Sequence, residues 1–484
     1  MIAYRSIFFL IGILLSILAC AMLLPLFAEL IVYEFGEWPS FLASVFVTGF
    51  VGSCLSLANR PHGPIRLGVR EAFILTTMSW VLSACFASLP FYFASMELQF
   101  IDALFESFSA ITTTGATVLS NLQDMPRGIL LWRALLQWLG GTGIILMAMT
   151  VLPILSIGGM QLFRSEFSDK SEKILPRVSQ IASAIFTIYL TLTIACAVLY
   201  YFAGMGIFDA VCHSLTTVST GGMANYDASL RAFDSLAVEI IAIVFMTIGS
   251  ITLILWVRIW QNDWQVIMHD SQLRVFMFLL VMVSLGLSMW HWLVNGIDFW
   301  QSLRQASFSV VSIFTTCGYT TVDYVQWGSL PVILMLMLSS VGGCTGSTTG
   351  AIKIFRFQVL FSLAITHLRK LRRSHGVYIP LYNGQKITEQ VAMSVFTFVT
   401  LYIMSLMVAA MVLALMDMDT ISSMSAATAC LGNIGPGITA DMGPSGNYAN
   451  ISDNAKGLLM FLMVIGRLEL LTVMTLFMPS FWRS

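Results

Sequence analysis

The chain has 484 residues, of which 57% are hydrophobic and 10% charged, against the roughly 25% charged share of soluble globular domains. That composition argues against a soluble fold and places most of the chain in lipid. Its formal net charge of -1 names no charged partner and implies no nucleic acid, so basic residues inform only through the segments they occupy.

An apolar run of about 18 or more residues is long enough to cross the hydrocarbon core as a helix. The first run covers residues 7–32, after Arg5, and includes Ile17-Leu18-Ala19-Cys20, faintly similar to a lipoprotein cleavage site. Bulky Leu18 fits such a site poorly and the run exceeds a signal peptide's apolar region, so an uncleaved first span is expected. A second span follows at 41–57, then a basic stretch at 59–70. The eight cysteines (Cys20, Cys54, Cys85, Cys196, Cys212, Cys317, Cys344 and Cys430) are scattered without a C-x-x-C pair, which supports neither a disulfide framework nor a zinc site.

From there the chain repeats itself. Four times a span leads into a short apolar segment ending in Thr, Ser, Cys, Asn and Gly, then a polar stretch, then another span. The endings are Ile111-Thr-Thr-Thr-Gly-Ala-Thr117, Leu215-Thr-Thr-Val-Ser-Thr-Gly-Gly222, Phe314-Thr-Thr-Cys-Gly-Tyr-Thr-Thr321 and Cys430-Leu-Gly-Asn-Ile-Gly-Pro-Gly437. Their central glycines, Gly115, Gly221, Gly318 and Gly435, recur roughly every 100 residues. The expected division is two N-terminal spans in 1–60, then units at 61–177, 178–268, 269–384 and 385–484. Each short segment opens near an acidic residue (Asp102 and Glu106, Asp209, Asp298, Asp417 and Asp419), as suits the positive end of a helix dipole. Segments of about 10–15 residues cannot span, so re-entrant half-helices are expected. A surface amphipathic helix is the bland alternative for any one copy.

Basic residues set the expected orientation. Arg60, Arg66 and Arg70, then Arg164, Lys170, Lys173 and Arg177, then Arg258 and Arg274, and finally Arg369, Lys370, Arg372, Arg373 and Lys386 occupy alternate loops, which the positive-inside rule puts in the cytoplasm. The glycine-bearing segments then face outward among Asp124, Asp227, Asp234, Asp323, Asp441 and Asp453, and an acidic mouth concentrates cations. About ten crossings result, with both termini cytoplasmic.

A dehydrated cation needs oxygens in place of its water, and a ring of backbone carbonyls supplies them without a trapping charge. Glycine reaches the positive φ that aims successive carbonyls at one axis. On these residues the chain resembles the Trk/Ktr/HKT superfamily of potassium transporters, most closely its TrkH-type members. The resemblance implies an all-α polytopic membrane fold of four helix, pore loop and helix repeats around a pseudo-fourfold pore, with two extra N-terminal helices. It implies a K⁺ selectivity filter at Thr113-Thr114-Gly115, Ser219-Thr220-Gly221, Thr316-Cys317-Gly318 and Asn433-Ile434-Gly435. The fourth copy departs most, through Asn433 and Pro436.

Two features point to a gate. Residues 342–350, Gly-Gly-Cys-Thr-Gly-Ser-Thr-Thr-Gly, interrupt the third unit's second span with small residues. Close helix packing is the plain reading; the family's mobile intramembrane loop is the functional one, with Gly342, Gly343, Gly346 and Gly350. Arg467 lies inside the last apolar stretch, 457–478, where a buried arginine costs about 2.5–3.5 kcal/mol on insertion scales and needs a wet or paired place. The resemblance implies that it points into the pore below the filter. Glu469 is expected to pair with a neighbouring helix, Arg133 to snorkel to the outer interface, and His213 to serve packing or hydrogen bonding. The cluster at 367–375 suits anionic lipid or a soluble partner. The family association implies a separate cytosolic TrkA-like nucleotide-binding ring, a homodimer with one pore per subunit, and the bacterial inner membrane. A secondary transporter coupling K⁺ or Na⁺ to protons is the alternative; such carriers usually have inverted two-fold repeats, whereas four copies of one orientation favour a pore. An enzyme is not expected, because the histidines and cysteines are dispersed.

Overall fold

The computed structural model describes residues 4–32, 36–61, 63, 65, 67–96, 98–150, 178–265, 267, 270–373 and 376–483. The segment carrying Arg164, Lys170, Lys173 and Arg177, with the expected boundary between the first two units, lies outside them, as do Arg66 and His375. The regular structure of the described residues is helical apart from two pairs of two-residue strands.

Helices Tyr4–Val32 and Trp38–Ala58 form an N-terminal antiparallel pair. Small residues let their backbones approach, since lipid provides little hydrophobic drive for helices to associate. A Cβ on Gly12 would lie 2.6 Å from the Ser56 amide nitrogen and 2.7 Å from the Gly52 carbonyl oxygen. The pair is tied to the rest by buried carboxylates. Glu29 accepts from the Gly128 amide at 2.5 Å, and Glu37 accepts from the Ser95 amide at 3.1 Å.

After this pair the same order of elements occurs four times. Long helices Val69–Ala87, Val178–Phe202, Ser271–Asn295 and Glu389–Leu415 each precede a short one: Phe100–Ile111, Ile207–Val218, Phe299–Phe314 and Thr420–Leu431. Asp298 and Asp419 cap their short helices by accepting from amides of the first turn. Asp102 and Asp209 bind side chains instead: Lys456 donates to Asp102 at 2.5 Å, and Asn225 and Tyr226 donate to Asp209.

The second long element of each unit is where regularity fails. Helix Arg127–Thr150 is continuous. In the second unit, Leu236–Gly249 and Leu253–Trp260 meet at 94°. In the third, residues between Ser329–Leu338 and Ile354–Arg372 form an irregular loop stitched by parallel strands Val341–Gly342 and Ile352–Lys353. In the fourth, the expected single span at 457–478 is two helices, Asp453–Arg467 and Leu470–Leu476, bent by 115°. The bend lies at Glu469, whose φ of +59° is left-handed.

Among the described residues six helices are long and apolar enough to cross a membrane, or eight when each bent pair counts once. The sequence total of about ten also counts Arg127–Thr150 and the interrupted stretch of the third unit. The chain is a multi-pass membrane protein. Gly52→Val should force the first two helices apart at a cost of about 1–3 kcal/mol, read as a lowered unfolding temperature in detergent; an unchanged temperature would refute the close contact.

Candidate functional site

All four short helices end in the same backbone figure. The second residue beyond each helix is left-handed, with φ of +54° at Thr113, +51° at Thr220, +55° at Thr316 and +52° at Asn433. Two residues later comes a positive-φ glycine, at +83° for Gly115, +74° for Gly222, +84° for Gly318 and +97° for Gly435. The residue between donates its amide back into the helix: Thr114 to Ser109, Gly221 to Thr216, Cys317 to Ser312 and Ile434 to Ala429, each at 2.9 Å. Left-handed residues flanking one that is not turn successive peptide dipoles toward the same side. A β-branched threonine at positive φ is an outlier costing about 1–3 kcal/mol, so the surroundings must hold it.

They do so through a closed ring. A Cβ on Gly115 would fall 2.3 Å from the Gly221 carbonyl oxygen, on Gly222 1.8 Å from that of Cys317, on Gly318 2.0 Å from that of Ile434, and on Gly435 2.6 Å from that of Thr114. Each loop's glycine thus lies against the carbonyl of the next, and the fourth closes on the first. Glycine is required twice over, by its φ and by the absence of room.

This register departs from the sequence reading in the second loop. The triplet equivalent to Thr113-Thr114-Gly115, Thr316-Cys317-Gly318 and Asn433-Ile434-Gly435 is Thr220-Gly221-Gly222, one residue later than Ser219-Thr220-Gly221. Ser219 is the helix cap. Adjacent glycines made spacing ambiguous; the choice falls to the one that meets the Cys317 carbonyl.

Beneath the ring lies the loop of small residues. Gly350 donates its amide to Thr316 Oγ1 at 2.8 Å, and the Thr348 and Thr220 hydroxyls are 2.9 Å apart. The loop also closes the break in the second unit, where Cys344 and Thr348 donate to the Ser250 and Gly249 carbonyls at 2.9 and 3.2 Å. Irregular backbone at membrane depth needs such partners. Gly342 lies against the Gly350 carbonyl, Gly350 against that of Gly432 and Gly343 against that of Ser250, with no room for a Cβ in any of them; Gly346 turns at φ +77° and accepts from the Leu253 amide. Arg467, 3% exposed, donates to the Thr348 carbonyl at 2.7 Å and the Gly140 carbonyl at 3.5 Å. It therefore bridges the loop and the first unit directly below the ring. Glu469 does pair with a neighbouring helix: Arg356 Nη2 is 2.7 Å from its carboxylate and the guanidinium stacks 3.7 Å from the Phe398 ring. Lys353 donates to the Thr349 carbonyl and, at 2.7 Å, to its hydroxyl.

On the other side of the glycines a cavity of about 210 Å³ opens, with Gly115, Gly222, Gly318 and Gly435 in its wall. Of the six aspartates expected at an acidic mouth, Asp227 lines it, and its carboxylate accepts from the Asn121 and Leu122 amides at 2.8 and 3.1 Å. Asp323 instead caps a turn at Tyr324–Trp327, and Asp234 lies 3.7 Å from Arg304. Burial and the facing Asp209 carboxylate push the Tyr226 phenol above its usual range.

Behind the loops stand polar residues that sequence reasoning missed or misplaced. Arg133 does not snorkel: it is 2% exposed and its Nε donates to the fully buried Glu106 at 2.7 Å. Glu106 also accepts from Thr117 and the Val118 amide, and Arg133 Nη1 donates to the Ala224 carbonyl at 3.0 Å. Gln137, one turn on, donates to the Gly221 carbonyl at 2.6 Å. Tyr448 donates to the Gly435 carbonyl at 2.8 Å; His213, by contrast, has the packing and hydrogen-bonding place expected of it, against Phe233 and Tyr319 with Nδ1 at 2.8 Å from the Asp209 carbonyl. The only available signal for the pair was a carboxylate and an arginine in apolar context. Arg133→Ala, leaving Glu106 buried and unpaired, should cost about 3–5 kcal/mol, seen as a lower unfolding temperature that Arg133→Ala/Glu106→Gln partly restores; no loss in the single variant would contradict the pairing.

Residues 38–484 match the TrkH family, described as cation transport protein. The Trk system potassium uptake protein TrkI of Halomonas elongata is 41% identical over 87% of this chain and 86% of its own length. TrkH of Vibrio parahaemolyticus is 37% identical over 99% and 100%, and TrkH of Escherichia coli K12 is 35% identical over the same shares. The crystal structure of the potassium transporter TrkH from Vibrio parahaemolyticus superposes with a TM-score of 0.91 at 35% identity, covering 99% of this chain and all of that one. The chain is a member of the TrkH family of cation transport proteins.

Proposed function

We propose that this chain takes up potassium across the bacterial inner membrane through a single pore, with the four-loop ring as its selectivity filter. One observation carries the reading: each of four glycines lies against the carbonyl of the next loop, so the loops converge on one axis as a naked alkali ion requires. The filter comprises Thr113-Thr114-Gly115, Thr220-Gly221-Gly222, Thr316-Cys317-Gly318 and Asn433-Ile434-Gly435. The buried Thr113 hydroxyl, without a hydrogen-bond partner among the described residues, suits an ion site at the inner end. Potassium as the ion rests on relatives named potassium uptake proteins.

The loop 342–350 and Arg467 form the gate below it. Their support is position: loop hydroxyls and amides touch filter threonines, and the arginine adds a positive charge beside the Thr348 carbonyl. An inward-negative potential supplies about 2.3 kcal/mol per unit charge for each 100 mV, enough to drive entry. Both termini are cytoplasmic. The protein works as a homodimer, and a TrkA-like nucleotide-binding ring docks on the cytoplasmic face, where Arg369, Lys370, Arg372 and Arg373 are exposed. The names of the relatives, which place them in a Trk system, support a partner.

Two measurements test this. Gly222→Ala and Gly318→Ala, each pressing a methyl into a neighbouring carbonyl, should lower the K⁺ over Na⁺ preference of reconstituted protein at least about tenfold, the weight of one well-placed interaction of ~1.4 kcal/mol; an unchanged ratio in folded protein excludes the filter. Arg467→Ala removes a charged hydrogen bond of about 1.5–3 kcal/mol and should raise K⁺ flux about tenfold; equal or lower flux excludes the barrier.

A further inference from the structure

The four ring positions preceding the glycines are Thr114, Gly221, Cys317 and Ile434. Three carry buried side chains that pack the loop against its surroundings. Cys317 and Ile434 are fully or nearly fully buried, and Thr114 is held by Thr112 at 2.8 Å and by the Asn433 amide at 2.9 Å. Gly221 has no side chain, so the second loop lacks this anchor.

The space is nevertheless filled. A Cβ on Gly221 would meet Gln137 at 2.4 Å (Cδ), 2.4 Å (Oε1) and 2.7 Å (Nε2). Gln137 is fully buried and belongs to the helix Arg127–Thr150 of the first unit, not to the loop it supports. Both ends of its amide are used: Nε2 donates to the Gly221 carbonyl at 2.6 Å and Oε1 accepts from the Met223 amide at 3.1 Å. The Met223 nitrogen can only donate, which fixes the orientation of the side-chain amide. One turn earlier on the same face, Arg133 donates to the Ala224 carbonyl, so residues at i and i+4 grip one strand at three points.

We infer that Gln137 is a specificity-determining positioning residue: it replaces the side chain that the second loop lacks and fixes the Gly221 carbonyl in the ring. Its N–H occupies part of that oxygen's hydrogen-bonding capacity and holds its direction. The number, direction and field strength of filter carbonyls decide how well K⁺ is told from Na⁺. Without the brace the Gly221 oxygen is free to close on the smaller ion, so discrimination falls.

The inference rests on the filter reading, and the experiment separates the two. K⁺ and Na⁺ uptake by full-length protein in liposomes is measured for Gln137→Met, which keeps volume and loses both hydrogen bonds, and for Gln137→Glu, which keeps shape and replaces the donor with an oxygen. Thermal unfolding and size-exclusion profiles select folded preparations. Each variant should lower the K⁺ over Na⁺ preference about tenfold, the weight of one hydrogen bond to a buried carbonyl. Gln137→Ala/Gly221→Ala, which moves a side chain from helix to loop, should regain part of it relative to Gln137→Ala. A merely structural role would change the amount of folded protein and not the ratio. An unchanged ratio in folded Gln137→Met and Gln137→Glu, with a lowered one in Gly318→Ala, overturns the brace alone; unchanged ratios in all three overturn the filter as well.

Discussion

The contact between a glycine of one loop and a peptide carbonyl of the next is the constraint on which the rest of this molecule is arranged. It occurs four times and closes on itself, so no loop can shift without displacing its neighbour. At gaps too small for a methyl group, the packing is as tight as in any protein interior, yet what is packed is polar backbone. Short helices aim at this point, long helices surround it, and the breaks in the second elements of three units lie below it.

Strain in the ring is met by contacts on both sides. Three threonines are held left-handed, a conformation that persists only when the surroundings over-determine it. Thr220 and Thr316 are held from below by the loop at 342–350. Asn433, a residue type that tolerates this region better, is held by Thr114 and the Met463 carbonyl. The same loop satisfies the carbonyls freed at the Gly249–Leu253 break, so the ring and the element beneath it share hydrogen bonds. Motion of one must be felt by the other, as the proposed gate and filter require.

The backing of the ring is not fourfold. A buried Glu106 and Arg133 pair and Gln137 support the first and second loops, Tyr319 hydroxyl contacts with Thr216 lie between the second and third, and Tyr448 braces the fourth. One backbone figure is thus maintained by four different sets of side chains, as a single chain permits. Charge is distributed as unevenly: Lys353, Arg356 and Arg467 line one small cavity beside the loop together with the carboxylate of Glu469.

Composition and periodicity alone gave the membrane helices, the short helices and the turns that end them, because these depend on neighbours a few residues away: apolar length, first-turn aspartates and glycines. The small-residue interruption in the third unit was equally legible, for nine such residues cannot be a lipid-facing span. Tertiary structure alone decided which of two adjacent glycines belongs to the ring, since Gly221 and Gly222 differ only in which one meets a carbonyl 95 residues further on, at Cys317. It also decided the bends of 94° and 115°, which no proline marks, and the inward turn of Arg133 toward Glu106 instead of the lipid headgroups. These depend on partners distant in sequence, and an arginine or a glutamine in an apolar run carries no local sign of the carboxylate or carbonyl it will meet once the chain has folded.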